Sequence, residues 1–94
     1  MENYFFINPK AGQGKGIDKL AANIEAAAAA LGMTAKIYIT KGVGDGERKA
    51  RETAQSLDGR PARFYACGGD GTNNEIINGT IGFDQIAVGC IPIG

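Results

Sequence analysis

Histidine is absent from the sequence, and cysteine is scarce: Cys67 and Cys90 are the only two in 94 residues. The lack of histidine excludes histidine-based catalytic dyads and triads, and most zinc sites, from this segment. Two cysteines are too few for a disulfide framework, and each falls in an apolar run. We therefore predict two free, buried thiols in a cytosolic protein.

No sign of charge is in excess, because ten basic and ten acidic residues cancel. The sequence therefore has no basic footprint for nucleic acid, and no nucleic-acid partner is expected. It has no run of about 18 apolar residues that could span a membrane, and no basic region precedes its short N-terminal apolar run, as in a secretory signal. The composition indicates at most one globular domain, and a cytoplasmic location is expected.

Two kinds of apolar segment alternate along the chain. Short β-branched and aromatic runs predict strands at residues 3–7, 34–39, 63–67 and 85–91. Helices are predicted between them, at about residues 16–31, 45–57 and 72–78, with Gly32 as the C-terminal cap of the first. The order β-α-β-α-β-α-β indicates an α/β fold, a three-layer sandwich with a mostly parallel sheet.

Glycine is abundant, at 15 of 94 residues, and it clusters at positions 12–16, 42–46 and 68–71. Each cluster follows the carboxyl end of a predicted strand. Ligands of open parallel sheets bind at that edge, so we expect the three clusters to gather there. A strand, a glycine loop and a helix start offer unobstructed backbone amides to a phosphate or nucleotide.

The third cluster lies in ACGGDGTNNE, residues 66–75, and holds one carboxylate, Asp70. That carboxylate would repel a bare phosphate, but it suits Mg²⁺ or a ribose or substrate hydroxyl. A simple turn explains Asp70 about as well. Thr72 and Glu75 also fit the capping box S/T-x-x-E, which predicts that they cap the third helix.

The first loop runs from Asn8 through Pro9 and Lys10. Pro9 ends the strand and Asn8 leaves an amide at its tip, although on spacing alone an ordinary turn is as good an interpretation. Lys10 and Lys15 are either phosphate contacts or solvated lysines. Neither this loop nor the third cluster matches a dinucleotide fingerprint or a Walker A motif.

Together, Asn8-Pro9-Lys10-Ala11-Gly12 and Gly68-Gly69-Asp70-Gly71-Thr72 resemble the hallmark loops of the diacylglycerol kinase catalytic-domain family, which includes sphingosine and ceramide kinases. Thr40 and Gly44-Asp45-Gly46 resemble a third element of that family. The resemblance covers essentially the whole chain. It implies the N-terminal nucleotide-binding domain of the 6-phosphofructokinase and NAD-kinase-like superfamily. Residues 1–94 would be a truncated part of that domain, with the β-rich lipid-binding domain absent.

The resemblance implies an ATP-dependent lipid kinase, acting with Mg²⁺ on a lipid hydroxyl such as that of diacylglycerol. It implies Asp70 as the catalytic residue, at the phosphates and their Mg²⁺ network. The residues it implies around ATP are Asn8, Pro9, Lys10, Ala11, Gly12, Thr40, Gly68, Gly69, Asp70, Gly71, Thr72, Asn73 and Asn74. Ala11 stands where the family usually has serine. The family's acidic Mg²⁺ ligands and general base lie in the absent domain, so no metal ligand is assigned here.

The same resemblance sets expectations for partners. The fragment alone is expected to be inactive, and the full enzyme to contact membranes peripherally when it acts on lipid. A homodimer is possible, because a sheet that stops after its fourth strand leaves apolar surface to cover. Two alternatives stay open: a soluble-substrate kinase such as an NAD kinase, against which the Asn-Pro loop argues, and a non-catalytic nucleotide-binding module.

Overall fold

A four-stranded sheet forms the middle layer of the protein. The computed structural model describes residues 1–10 and 16–92. The strands are β1 (Glu2–Ile7), β2 (Lys36–Ile39), β3 (Ala62–Gly68) and β4 (Ile86–Pro92). They lie in the order β2-β1-β3-β4, and all three pairings are parallel. The predicted α/β fold is confirmed.

Helices cover both faces of this sheet. They are α1 (Ile17–Ala30), α2 (Asp45–Ser56) and α3 (Asp70–Gly79). On one face α1 packs against Ile7 and Cys67, whereas α2 and α3 enclose Phe6 and Phe64 on the other. This is the predicted three-layer sandwich.

The apolar run of β1 follows from this double cover, because successive side chains of a strand point to opposite faces. Phe6 contacts Phe64 on the α2 and α3 side, with ring centroids 5.1 Å apart. Phe5 stacks on Tyr65 on the α1 side at 4.7 Å. Neighbouring aromatic rings on both faces thus hold β1 and β3 together at the centre of the sheet.

Gly32 ends α1 as predicted. It lies in the left-handed region at φ +68, and its N–H donates to Ala29 O at 3.2 Å while the Met33 N–H donates to Ala28 O at 2.8 Å. This pair of bonds is the Schellman arrangement, in which glycine is favoured because it has no Cβ to clash.

The prediction of two buried thiols is wrong for one of them. Cys67 is buried, and desolvation raises the pKa of its thiol to about 11. Cys90 is exposed, because β4 is an edge strand of the described sheet. Within residues 1–10 and 16–92, no helix is both long and apolar enough to cross a bilayer.

Candidate functional site

The strand register brings the loops after β1 and β2 together at the carboxyl edge of the sheet. Ile7 of β1 lies opposite Ile39 of β2 and Cys67 of β3. Asn8, the residue that follows β1, donates its N–H to Cys67 O at 3.0 Å, and the N–H of Thr40 donates to Ile7 O at 2.8 Å. Asn8, Thr40 and the last residue of β3 therefore lie side by side.

Side chains join the first and third loops at this edge. Asn8 Nδ2 donates to Thr72 Oγ1 at 3.3 Å, and Asn8 Oδ1 accepts from the backbone N–H of Lys10 at 3.0 Å. A Cβ on Gly68 would lie 2.5 Å from Thr72 Oγ1. Only glycine leaves room for Thr72 at this junction, which explains the first glycine of the predicted loop, Gly68.

The loops surround a cavity of about 100 Å³. Lys10 and Lys41 are exposed at this cavity, whereas Thr40 and Thr72 are buried in its wall. The residues that line it are Asn8, Pro9, Lys10, Thr40, Lys41, Gly42, Val43, Thr72 and Glu75. The two lysine ammonium groups, together with the neighbouring hydroxyl and amide groups, give the cavity an environment that favours an anion.

The loop between β2 and α2 is tied down by Asp45. Its Oδ2 accepts from the Tyr38 hydroxyl at 2.7 Å and from the Lys41 N–H at 2.9 Å, and its Oδ1 accepts from Arg48 Nη2 at 2.8 Å. The bond from Tyr38, followed by those from Lys41 and Arg48, lowers the pKa of Asp45 to about 2. The hydrogen bonds of this carboxylate therefore hold the loop in its conformation.

The capping-box prediction is wrong. Helix α3 begins at Asp70, two residues before the predicted start, and the extended Gly69 (φ −100, ψ −162) takes the cap position. A capping box needs its Ser or Thr at that position, but Thr72 is the third helical residue. Glu75 Oε1 instead accepts from the N–H of Gly46 in α2 at 3.0 Å.

The structure brings together five of the residues assigned to the site from the sequence. These are Asn8, Pro9, Lys10, Thr40 and Thr72. Gly68 is buried beneath them, and Gly69, Asp70 and Gly71 lie exposed in the turn that starts α3, outside the cavity wall. Asn73 and Asn74 follow in that helix. Ala11 and Gly12, like Lys15, lie outside the described residues.

Sequence reasoning missed four residues of the cavity wall: Lys41, Gly42, Val43 and Glu75. The second glycine cluster, expected at the carboxyl edge of the sheet, carries a signal for the first three, but Thr40 is the only residue of this loop that the sequence assigns to the site. Glu75 was assigned to a cap within its own helix. Its contact with Gly46 spans 29 residues and has no local sequence pattern.

Comparison with known proteins identifies relatives of this chain. Residues 2–94 match the family model described as diacylglycerol kinase catalytic domain. A Bacillus subtilis (strain 168) protein named as a candidate lipid kinase, YtlR, is 29% identical over 91 residues, which is 97% of this chain.

Solved structures also match this chain over nearly its whole length. A candidate diacylglycerol kinase from Bacillus anthracis str. Sterne superposes with a TM-score of 0.76 at 32% identity over 99% of this chain. A structure described as a diacylglycerol kinase of the same strain gives 0.75, also at 32% identity over 99% of the chain. The chain spans 29% of the length of the curated relative and 32% and 33% of the two solved chains.

Proposed function

The chain belongs to the diacylglycerol kinase catalytic domain family, and from that premise we propose that it forms the ATP-binding part of a lipid kinase. The enzyme would transfer the γ-phosphoryl group of ATP to a lipid hydroxyl, such as that of diacylglycerol. One observation carries the proposal: loops from three adjacent parallel strands meet around a cavity that presents Lys10 and Lys41. Phosphoryl transfer depends mainly on positioning and charge neutralisation, which such loops can supply.

The proposed ATP-contacting residues fall into two groups. Asn8, Thr40, Gly68 and Thr72 are engaged in contacts that hold the loops together, so we assign them to shaping the site. The residues assigned to surround ATP directly are Pro9, Lys10, Ala11, Gly12, Gly69, Gly71, Asn73 and Asn74. The first turn of α3 supports this assignment, because N-terminal helix amides favour an anion.

Asp70 is proposed as the catalytic residue that orders Mg²⁺ at the phosphates. Its carboxylate is exposed at the start of α3. Among the described residues, no three acidic, cysteine or histidine side chains cluster as a metal cage. A lone carboxylate fits Mg²⁺, which keeps several waters and is commonly held by one or two carboxylates and the substrate phosphates. Mg²⁺ would neutralise charge on the transferring group.

The lipid site is assigned to a β-rich domain outside residues 1–94. We propose that the full-length enzyme meets its lipid peripherally at a membrane surface. We also propose a homodimer, for which the exposed apolar side chains of Ile77 on α3 and of Ile81, two residues after that helix, supply candidate contact surface. Sedimentation of the full-length protein as a strict monomer at high concentration would overturn the dimer.

The kinase assignment is tested with the full-length protein, γ-phosphate-labelled ATP, Mg²⁺ and vesicles with or without diacylglycerol. Label is expected in the lipid only when diacylglycerol is present. Asp70→Asn should lower that rate roughly a hundredfold with an unchanged melting temperature, because the side chain is exposed. Transfer to a soluble acceptor such as NAD, with none to lipid, would refute the lipid assignment.

A further inference from the structure

Helix α2 begins without a capping side chain of its own. Its cap position is Gly44, at φ +84, yet the first-turn amides of a helix need acceptors. The amide of Gly46 donates to Glu75 Oε1 at 3.0 Å. Helix α3 therefore supplies an acceptor that the sequence around α2 lacks.

The two helices are fitted to this contact. A Cβ on Gly46 would lie 2.8 Å from Glu75 Oε1, so a glycine here lets the carboxylate approach the amide without moving aside. One turn further along both helices, a Cβ on Gly79 would lie 2.7 Å from the Cβ of Ala50. Close approach at two successive turns fixes the register of α2 against α3.

Glu75 also lines the cavity, beside Lys41 and Val43. A carboxylate near a phosphate site weakens anion binding by repulsion, so its presence calls for a reason. The positive end of α2 provides one, because it stabilises a negative charge held at its first-turn amides.

We propose that Glu75 is a positioning residue of the nucleotide site. By holding the amide of Gly46, it fixes the loop of residues 40–44 against α3, so that Lys41 lines the same cavity as Lys10. The proposal rests on the proposed function, since it assumes that this cavity takes the phosphates of ATP. It adds a residue that touches no phosphate and acts through the loop.

The test compares wild type, Glu75→Ala and Glu75→Gln in the full-length protein. Glu75→Ala should speed amide exchange at Gly46 without nucleotide and raise KM for ATP about tenfold, with kcat within about twofold. Glu75→Gln keeps an Oε1 acceptor and should restore most of the wild-type KM. Glu47→Gln, in the same first turn of α2, is the matched control and should change neither quantity.

A second variant approaches the same contact from the other side. Gly46→Ala should displace the Glu75 carboxylate and raise KM for ATP, and its effect should not add to that of Glu75→Ala.

The outcomes separate the two proposals. Suppose that wild type uses ATP. If Glu75→Ala then keeps the wild-type KM for ATP, or loses only kcat through reduced stability, the positioning role is overturned while the proposed function stands. If wild type neither binds nor uses ATP, the proposed function fails and the positioning role falls with it. Exchange at Gly46 still reports then whether the helix contact exists.

Discussion

The carboxamide of Asn8 donates to the hydroxyl of Thr72, 64 residues further along the chain, over 3.3 Å. The oxygen of the same carboxamide accepts the N–H of Lys10 at 3.0 Å. Both halves of this amide are therefore used inside the protein. The asparagine of the first loop connects that loop to α3, which leaves Lys10 and the α3 amides to meet a ligand.

Thr72→Val removes the acceptor for Asn8 while keeping the shape of the side chain. We expect a loss of about 1 kcal/mol in the free energy of unfolding, the usual net value of one hydrogen bond. We also expect weaker nucleotide binding, because the first loop loses its attachment to α3. Urea denaturation and nucleotide titration measure the two effects.

Thr53→Val is the control for this change. Thr53 is also a buried helical threonine, but its hydroxyl donates to Lys49 O within α2 at 2.7 Å, away from the cavity. It should leave nucleotide affinity unchanged. Equal affinities for Thr72→Val and wild type would show that the Asn8 contact does not shape the site.

Adjacent glycines of the third loop should respond differently to alanine. Gly68→Ala places a Cβ 2.5 Å from Thr72 Oγ1, whereas a Cβ on Gly69 meets no atom within 4 Å. Gly68→Ala should cost about 1–3 kcal/mol of stability through overpacking. Gly69→Ala should leave stability nearly unchanged and reduce nucleotide binding, since its methyl group projects into open space at the site.

Thermal melts with and without ATP measure both variants. A Gly68→Ala protein as stable as wild type would mean that the junction with Thr72 can relax. Full ATP stabilisation of Gly69→Ala would argue against close approach of a ligand at that turn.

The layers and the strand order along the chain were predictable because they depend on local patterns. The run at residues 3–7 and the helical spacing before Gly32 are each read within a short window, and both were found at nearly those positions. The carboxyl-edge meeting of the loops followed from parallel connections, which force strand ends to the same side.

Long-range contacts were not predictable. Glu75 bonds to Gly46 in another helix rather than to its own, and a capping-box pattern gives no sign of that choice. The exposure of Cys90 depends on β4 lying at the sheet edge, which composition does not reveal. Such features are set by how the elements pack together, a property of the whole fold.

Acid should destabilise the loop between β2 and α2 through Asp45. Its pKa is about 2 in the folded chain against an ordinary value of 3.8, so the unfolded state binds more protons between these values. Stability from this carboxylate is complete above pH 3.8 and is lost as the pH falls toward 2. Denaturant melts from pH 2 to 7 should show that decline, and Asp45→Asn should flatten it.

Tyr38→Phe tests the main cause of the shift, because the Tyr38 hydroxyl makes the first bond to Asp45. It should remove part of the decline. Tyr65→Phe is the matched control, since that ring stacks on Phe5 away from the network. An unchanged pH profile in Asp45→Asn would assign the acid sensitivity to other groups.

Residues 1–94 alone should not phosphorylate diacylglycerol. The cavity at the carboxyl edge of the sheet is about 100 Å³, below the roughly 300–1,000 Å³ of typical ligand pockets, and the chain spans only 32% of a related solved protein. An isolated 1–94 chain incubated with labelled ATP, Mg²⁺ and diacylglycerol vesicles should give no labelled lipid, while the full-length protein does. Phosphorylation by the isolated chain that disappears in Asp70→Ala would contradict this, and would place the acceptor site and the general base within these 94 residues.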